Sequence, residues 1–139
     1  MTLTPLAAGR QHTVRCLPNG RVVAVGADSA GECRVSQWRD VVAVAAGNVH
    51  AAGNTGRSHT LGLRSDGTVL ACGWNAQGQC DVHDWRDVVA VAAGWRFSAG
   101  LRGDGTLVTT GRDAEGQRQV DHWRELTGIS CGDWHTVAV

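Results

Sequence analysis

Lysine and tyrosine do not occur in this chain of 139 residues, and its thirteen basic residues are all arginine. Thirteen acidic residues balance them, so no positive excess draws the chain to nucleic-acid phosphates or anionic lipid. Neither nucleic acid nor membrane is expected as a partner. Missing lysine beside abundant Ala, Gly, Val and Arg is the bias of a high-GC, bacterial coding sequence. The longest apolar runs, such as Val41 to Ala46, are too short to span a bilayer. The opening, MTLTPLAAGR, lacks the basic and long apolar segments of a secretion signal, so a cytoplasmic location is expected. Five cysteines, an odd number lying in or beside strand-like runs, favour reduced thiols over a disulfide framework. No amphipathic stretch is long enough for a secure helix. The glycine-rich segments lack the following Gly-Lys-Ser/Thr of a phosphate loop.

Self-similarity is the strongest signal present. WRDVVAVAAG occurs verbatim from Trp38 to Gly47 and from Trp85 to Gly94, decays to WRELTGISCG from Trp123 to Gly132, and leaves the tail LAAG ending at Gly9. The four glycines Gly9, Gly47, Gly94 and Gly132 are therefore 38, 47 and 38 residues apart. The turn pairs Asn19-Gly20, Asp66-Gly67 and Asp104-Gly105 step by the same 47 and 38, as do Trp38, Trp85 and Trp123. One 38-residue period with a nine-residue insertion, residues 48–56, accounts for all of them. Such an insertion belongs in a loop on a rim of the fold.

Within a period, short β-branched runs such as TVLAC and RVVAV are bounded by glycine, and Asn-Gly or Asp-Gly stands between consecutive runs. That pattern predicts antiparallel hairpins closed by two-residue turns with both central residues at positive φ. Each repeat reads as a four-stranded antiparallel sheet, its last, short edge strand around Gln79 to Val82. Four-stranded units of this length are the pattern of β-propeller blades. The segment GRSHTLGLRSDGTVLACGWNAQGQCDV, Gly56 to Val82, then resembles the blade pattern of the regulator of chromosome condensation family: Gly-x-x-His-Thr, a leucine-containing strand, Asp-Gly-Thr-Val, a glycine and an Asn-x-x-Gly-Gln turn. Repeat three departs from it, with Phe97 for the histidine and Asp113 for Asn75, which puts its local hydrogen bonding in question.

The expected fold is all-β: one partial propeller over residues 1–139, with repeats at about 6–40, 41–87 and 88–125 and a partial one at 126–139. A family ring normally has seven blades. Three and a half blades leave apolar end faces and a free strand edge, an aggregation hazard unless covered. Either another copy completes the ring as a closed homo-oligomer, most simply a two-fold dimer of about seven blade positions, with eight positions and two trimmed blades as the alternative, or the chain is a fragment of something larger. The family resemblance further implies binding of a protein partner through loops on one face. Some members act as guanine-nucleotide exchange factors on small GTPases, and a bacterial relative inhibits β-lactamases through aromatic loops.

Candidate chemistry is sparse. His12, His59 and His135 recur at one blade position, each followed by Thr, which points to structure. Cys72, Cys80 and His83 match no compact zinc spacing. No catalytic, metal or cofactor residues are assigned. The alternative, a hydrolase or metal enzyme working in the pore of an assembled ring, rests on no particular pair of residues. The six tryptophans divide into two sets. Trp38, Trp85 and Trp123 recur in register, as packing residues do, whereas Trp74, Trp95 and Trp134 stand where other repeats carry different residues. With Asn75, Arg96, Asn48 and His50 they form the candidate partner-binding set, since Trp and Arg combine large buried area with a polar handle.

Overall fold

The computed structural model describes residues 3–48 and 56–139, and among them every regular element is a β-strand. Three antiparallel sheets follow one another: β1 (Leu6–Ala8), β2 (His12–Cys16) and β3 (Val22–Gly26); β4 (Val41–Ala46), β5 (His59–Arg64) and β6 (Val69–Gly73); β7 (Val88–Ala93), β8 (Phe97–Arg102) and β9 (Leu107–Gly111). A strand pair, β10 (Ile129–Cys131) and β11 (Thr136–Ala138), opens a fourth. The first strands β1, β4, β7 and β10 touch in succession, so they line the inside of an arc of blades. This is the partial propeller the repeats predict.

Two details differ from the sequence expectation. Each sheet has three strands, and the fourth, outer position is taken by a chain of turns. Its side chains explain why. Asn75 Oδ1 accepts from Cys80 N at 2.7 Å and Gln79 Oε1 from Gln77 N at 2.9 Å, which holds the backbone in tight turns instead of a ladder. The segment still does a strand's packing, because Val82 and Trp85 are buried from it. Repeat three closes the same turn with its aspartate, Asp113 Oδ1 accepting from Arg118 N at 2.8 Å.

The hairpin tips differ as well. Positive φ is confined to the glycines Gly20, Gly67 and Gly105, at 78°, 84° and 81°. Gly67 N donates to Arg64 O and Arg64 N to Thr68 O, a type I turn followed by a left-handed glycine. Asp66 keeps right-handed geometry because its carboxylate is bound to Thr68 N at 3.0 Å and Thr68 Oγ1 at 2.6 Å. These bonds also hold the Asp66 carboxyl below its ordinary pKa.

Strand alternation gives each sheet a forward face, toward the next blade, and a back face. Ala7, Val14, Cys16 and Val22 of blade one meet Val44, Ala46, Leu70 and Cys72 of blade two, and Leu61, Leu63 and Val69 meet Val91, Ala93 and Val108 of blade three. Trp38 and Trp85 of the repeated set pack in these seams. A Cβ on Gly62 would come within 2.7 Å of the Trp38 ring, and one on Gly100 within 2.9 Å of Trp85. The glycine of each pair is thus the space for the ring.

A polar relay crosses the seams above this apolar layer. Thr60 Oγ1 donates to Glu32 O at 2.7 Å and Ser98 Oγ to Gln79 O at 2.7 Å. Each hydroxyl has then spent its one hydrogen, so His12 Nε2 at 2.8 Å from Thr60 Oγ1, and His59 Nε2 at 2.9 Å from Ser98 Oγ, must carry the proton. Burial holds both imidazoles neutral, pushing the His59 pKa down to about 4 and lowering that of His12 against the opposing pull of Glu32. At the third seam Phe97 keeps the ring without the bond, and Thr136 Oγ1 still donates to Gln117 O at 2.8 Å. His12 and His59 are structural, each with a hydroxyl on the next blade as partner.

Candidate partner-binding rim

Meander topology sends the tips after β1, β4, β7 and β10 and the chain leaving β3, β6 and β9 to one rim, opposite the Asx-Gly hairpins. The backbone of this rim repeats. Gly9, Gly47, Gly94 and Gly132 each donate to the carbonyl of His12, His59, Phe97 and His135. The ring at that position folds over the glycine: a Cβ on Gly47 would lie 2.5 Å from His59 Nδ1. Neighbouring tips are tied by Asn48 N to Gly94 O at 3.4 Å and Trp95 N to Asp133 O at 3.1 Å.

The side chains on this frame do not repeat. Trp74 follows β6, where blade one has Ala27 and blade three Arg112. The Arg57 guanidinium lies 4.5 Å from the Trp74 ring centre. Trp95 is faced by two cations, Arg96 at 4.6 Å and Arg112 at 4.9 Å, and its ring centre is 6.3 Å from that of Trp134. Such contacts hold guanidinium groups over aromatic faces for about 0.5–1 kcal/mol each where exposed. Arg96 occupies left-handed backbone at φ 64°, a conformation an arginine adopts at a cost and one that turns its side chain onto Trp95. Glu115 fixes Arg112 through Nε at 3.1 Å.

Of the residues singled out from sequence, Trp74, Trp95, Arg96 and Trp134 lie on this rim, and Trp134 is 44% exposed. Asn48 contributes a backbone bond there. His50 lies outside the described residues, as does most of the insertion. Asn75 is committed to its own turn at both ends, its Nδ2 donating to Asp81 Oδ1 at 2.8 Å. Arg57 and Arg112 were missed by sequence reading. Arg112 sits at the offset it shares with Ala27 and Trp74, and that variability is its signal; Arg57 sits two residues before His59, where the other repeats have Arg10, Trp95 and Asp133.

The thiols of Cys72, Cys80 and Cys131 are pushed up to about 12 by burial, and the five cysteines are unpaired. Among the described residues no three His, Cys, Asp or Glu side chains gather as a metal site. No helix there is long and apolar enough to cross a membrane.

Residues 54–79 and 88–117 match the family model described as Regulator of chromosome condensation (RCC1) repeat. No curated protein matches the sequence. Among solved structures, yeast RCC1 (Prp20), bound to Kap60, is 22% identical with a TM-score of 0.72, over 96% of this chain and 40% of that one. A second structure of Prp20p from Saccharomyces cerevisiae, described with its binding to Gsp1p and histones, is 20% identical with a TM-score of 0.76, over 96% and 42%. The CRINKLY WD40 ectodomain of the Arabidopsis thaliana receptor kinase ACR4 is 17% identical with a TM-score of 0.76, over 96% and 45%. At these identities the likeness is one of fold. This chain spans less than half the length of each.

Proposed function

Because this chain is built of RCC1-like β-propeller blades, we propose that it is a noncatalytic protein-binding module that grips its partner with the variable rim and assembles with itself through its end faces. The observation that carries the reading is the contrast between repeated backbone and unrepeated Trp and Arg side chains on one rim. Large aromatic and guanidinium groups held on a rigid frame present contact area at little cost in ordering. The protein partners named with Prp20, among them Kap60, Gsp1p and histones, support a binding role of the same kind and leave this chain's own partner open. Burial holds His59 and Cys72 in their neutral forms, with His59 down to about 4 and Cys72 up to about 12, which supports binding over turnover. The five unpaired thiols fit a reducing compartment, the cytoplasm, as its place of action.

The test replaces Trp74, Trp95 and Trp134 together by alanine and compares captured partners by mass spectrometry with those of the unaltered chain. A protein retained by the unaltered chain in stoichiometric amount and lost by the triple variant, with both variants equally folded, supports the reading. Equal retention by both overturns the assignment of this rim.

A further inference from the structure

Since the internal seams share one plan, the two uncovered faces can be matched position by position with covered ones. Val14, Leu61 and Ala99 are equivalent forward-facing residues, each 0% exposed, whereas the fourth of the series, Val137, is 50% exposed. On the back faces Val44 is 1% exposed and its equivalent in blade one, Leu6, is 56%. Val23, at 49%, stands where Leu70 packs into the first seam. Each end of the arc therefore presents half of a seam.

Blade one departs from the plan at one position. Gly62 and Gly100 make room for the tryptophan of the blade before, and their equivalent is the exposed Arg15, paired with Leu6 in the ladder. A blade bringing a tryptophan to that place would meet the Arg15 side chain. Blades one to three of a second copy all bring one, namely Trp38, Trp85 and Trp123. The strand pair β10–β11 brings His135, Val137 and Val139 on its forward face, and its tryptophan, Trp134, stands at the rim tip and not at the seam. Hydrogen bonding agrees, because Thr13 stands where Thr60 and Ser98 receive a histidine N–H, and His135 stands where His12 and His59 give one.

We propose that the back face of blade one is the docking surface for the strand pair 126–139 of a second copy, Val137 packing on the other copy's Val23, His135 bonded to its Thr13, and its Arg15 lying where internal seams hold a tryptophan. A two-fold axis makes the contact twice. This rests on the self-assembly part of the reading above and names the surfaces that perform it.

The experiment is light scattering behind size exclusion, repeated on dilution, with circular dichroism as the check on folding. The unaltered chain is expected at twice its 14.7 kDa mass. Val137→Glu and Val23→Lys, both on exposed positions, should each give folded single chains, with dimerisation weakened at least about a hundredfold by an unpaired charge desolvated at each seam. Mixing the two variants should restore the dimer, one seam then pairing Glu with Lys and the other being unaltered. His135→Phe, which copies the Phe97 seam, should weaken dimerisation about tenfold by removing one hydrogen bond at each contact. A monomeric unaltered chain overturns both this proposal and the self-assembly reading. A dimer that withstands all three substitutions, or single chains that fail to recombine on mixing, overturns these surfaces and leaves self-assembly standing.

Discussion

The two rims of the arc are made by the same strands and treat sequence in opposite ways. On the hairpin rim, side chain and backbone repeat together: Val41 N, Val88 N and Leu126 N donate to Gly20, Gly67 and Gly105 O at 3.0, 3.0 and 3.1 Å. Asp40, Asp87 and Glu125 share a left-handed φ of 60°, 60° and 58° beside them. There each blade is stapled to the next, and a changed side chain disturbs the staple. On the opposite rim the backbone bonds recur while Ala27, Trp74 and Arg112 replace one another at a single position. Stability resides in the part that repeats, which leaves the other rim free to carry recognition.

The sharpest way to break this contrast is to exchange tryptophan for alanine in each set. Trp85, 3% exposed and seated on Gly100, should cost about 3–5 kcal/mol when truncated, read from urea melts. Trp95→Ala should alter stability by under about 0.5 kcal/mol and lose the partner. Equal destabilisation would erase the distinction between the sets.

Acid should find the repeated relay next. His59 titrates at about 4 when folded against 6.5 for a free imidazole, so between those values the unfolded chain binds a proton that the folded chain refuses. Stability should be full above about pH 6.5 and decline as the pH falls toward 4, by up to about 1.4 kcal/mol per unit from this group. His12, also lowered, acts with the same sign. His59→Phe, keeping the ring as Phe97 does, should flatten thermal melts over that window, and an unchanged slope would remove His59 from the account.

Smaller effects sharpen the comparison between rims. Gly67→Ala places a Cβ in left-handed backbone at φ 84°, 3.2 Å from Asp87 Cα, and should cost about 1–2 kcal/mol in urea melts. Arg57→Ala on the opposite rim removes a cation from Trp74 and should change stability by less than about 0.5 kcal/mol, while shifting the tryptophan emission.

Periodicity made the blade order, the seam tryptophans and the structural histidines legible, because a residue fixed by packing returns at 38 or 47 residues. Turn chemistry was less so. Asp-Gly is compatible with two hairpin geometries, and the observed one goes with the Thr68 amide bound to Asp66, as the Arg21 amide is bound to Asn19, a contact composition does not weigh. The missing fourth strand has a similar cause: Asn75 and Gln79 satisfy locally the backbone groups that an edge strand would have left to a ladder. Of the rim, the tryptophans stood out by breaking the repeat. Arg57 and Arg112 are ordinary arginines until the fold lays them across Trp74 and Trp95.

The tryptophan on its glycine also governs how such a gene can change. The two residues of a pair belong to different repeats, Trp38 with Gly62 and Trp85 with Gly100, so neither can mutate usefully without the other, although a whole repeat moved as a unit keeps both pairings. Crossing-over between copies in phase keeps each tryptophan on its glycine, whereas point change at one side of a seam breaks the pairing. Repeat one is exempt from this traffic. Copied into the interior it would carry Arg15 under a neighbour's indole, a clash that Gly62 and Gly100 avoid.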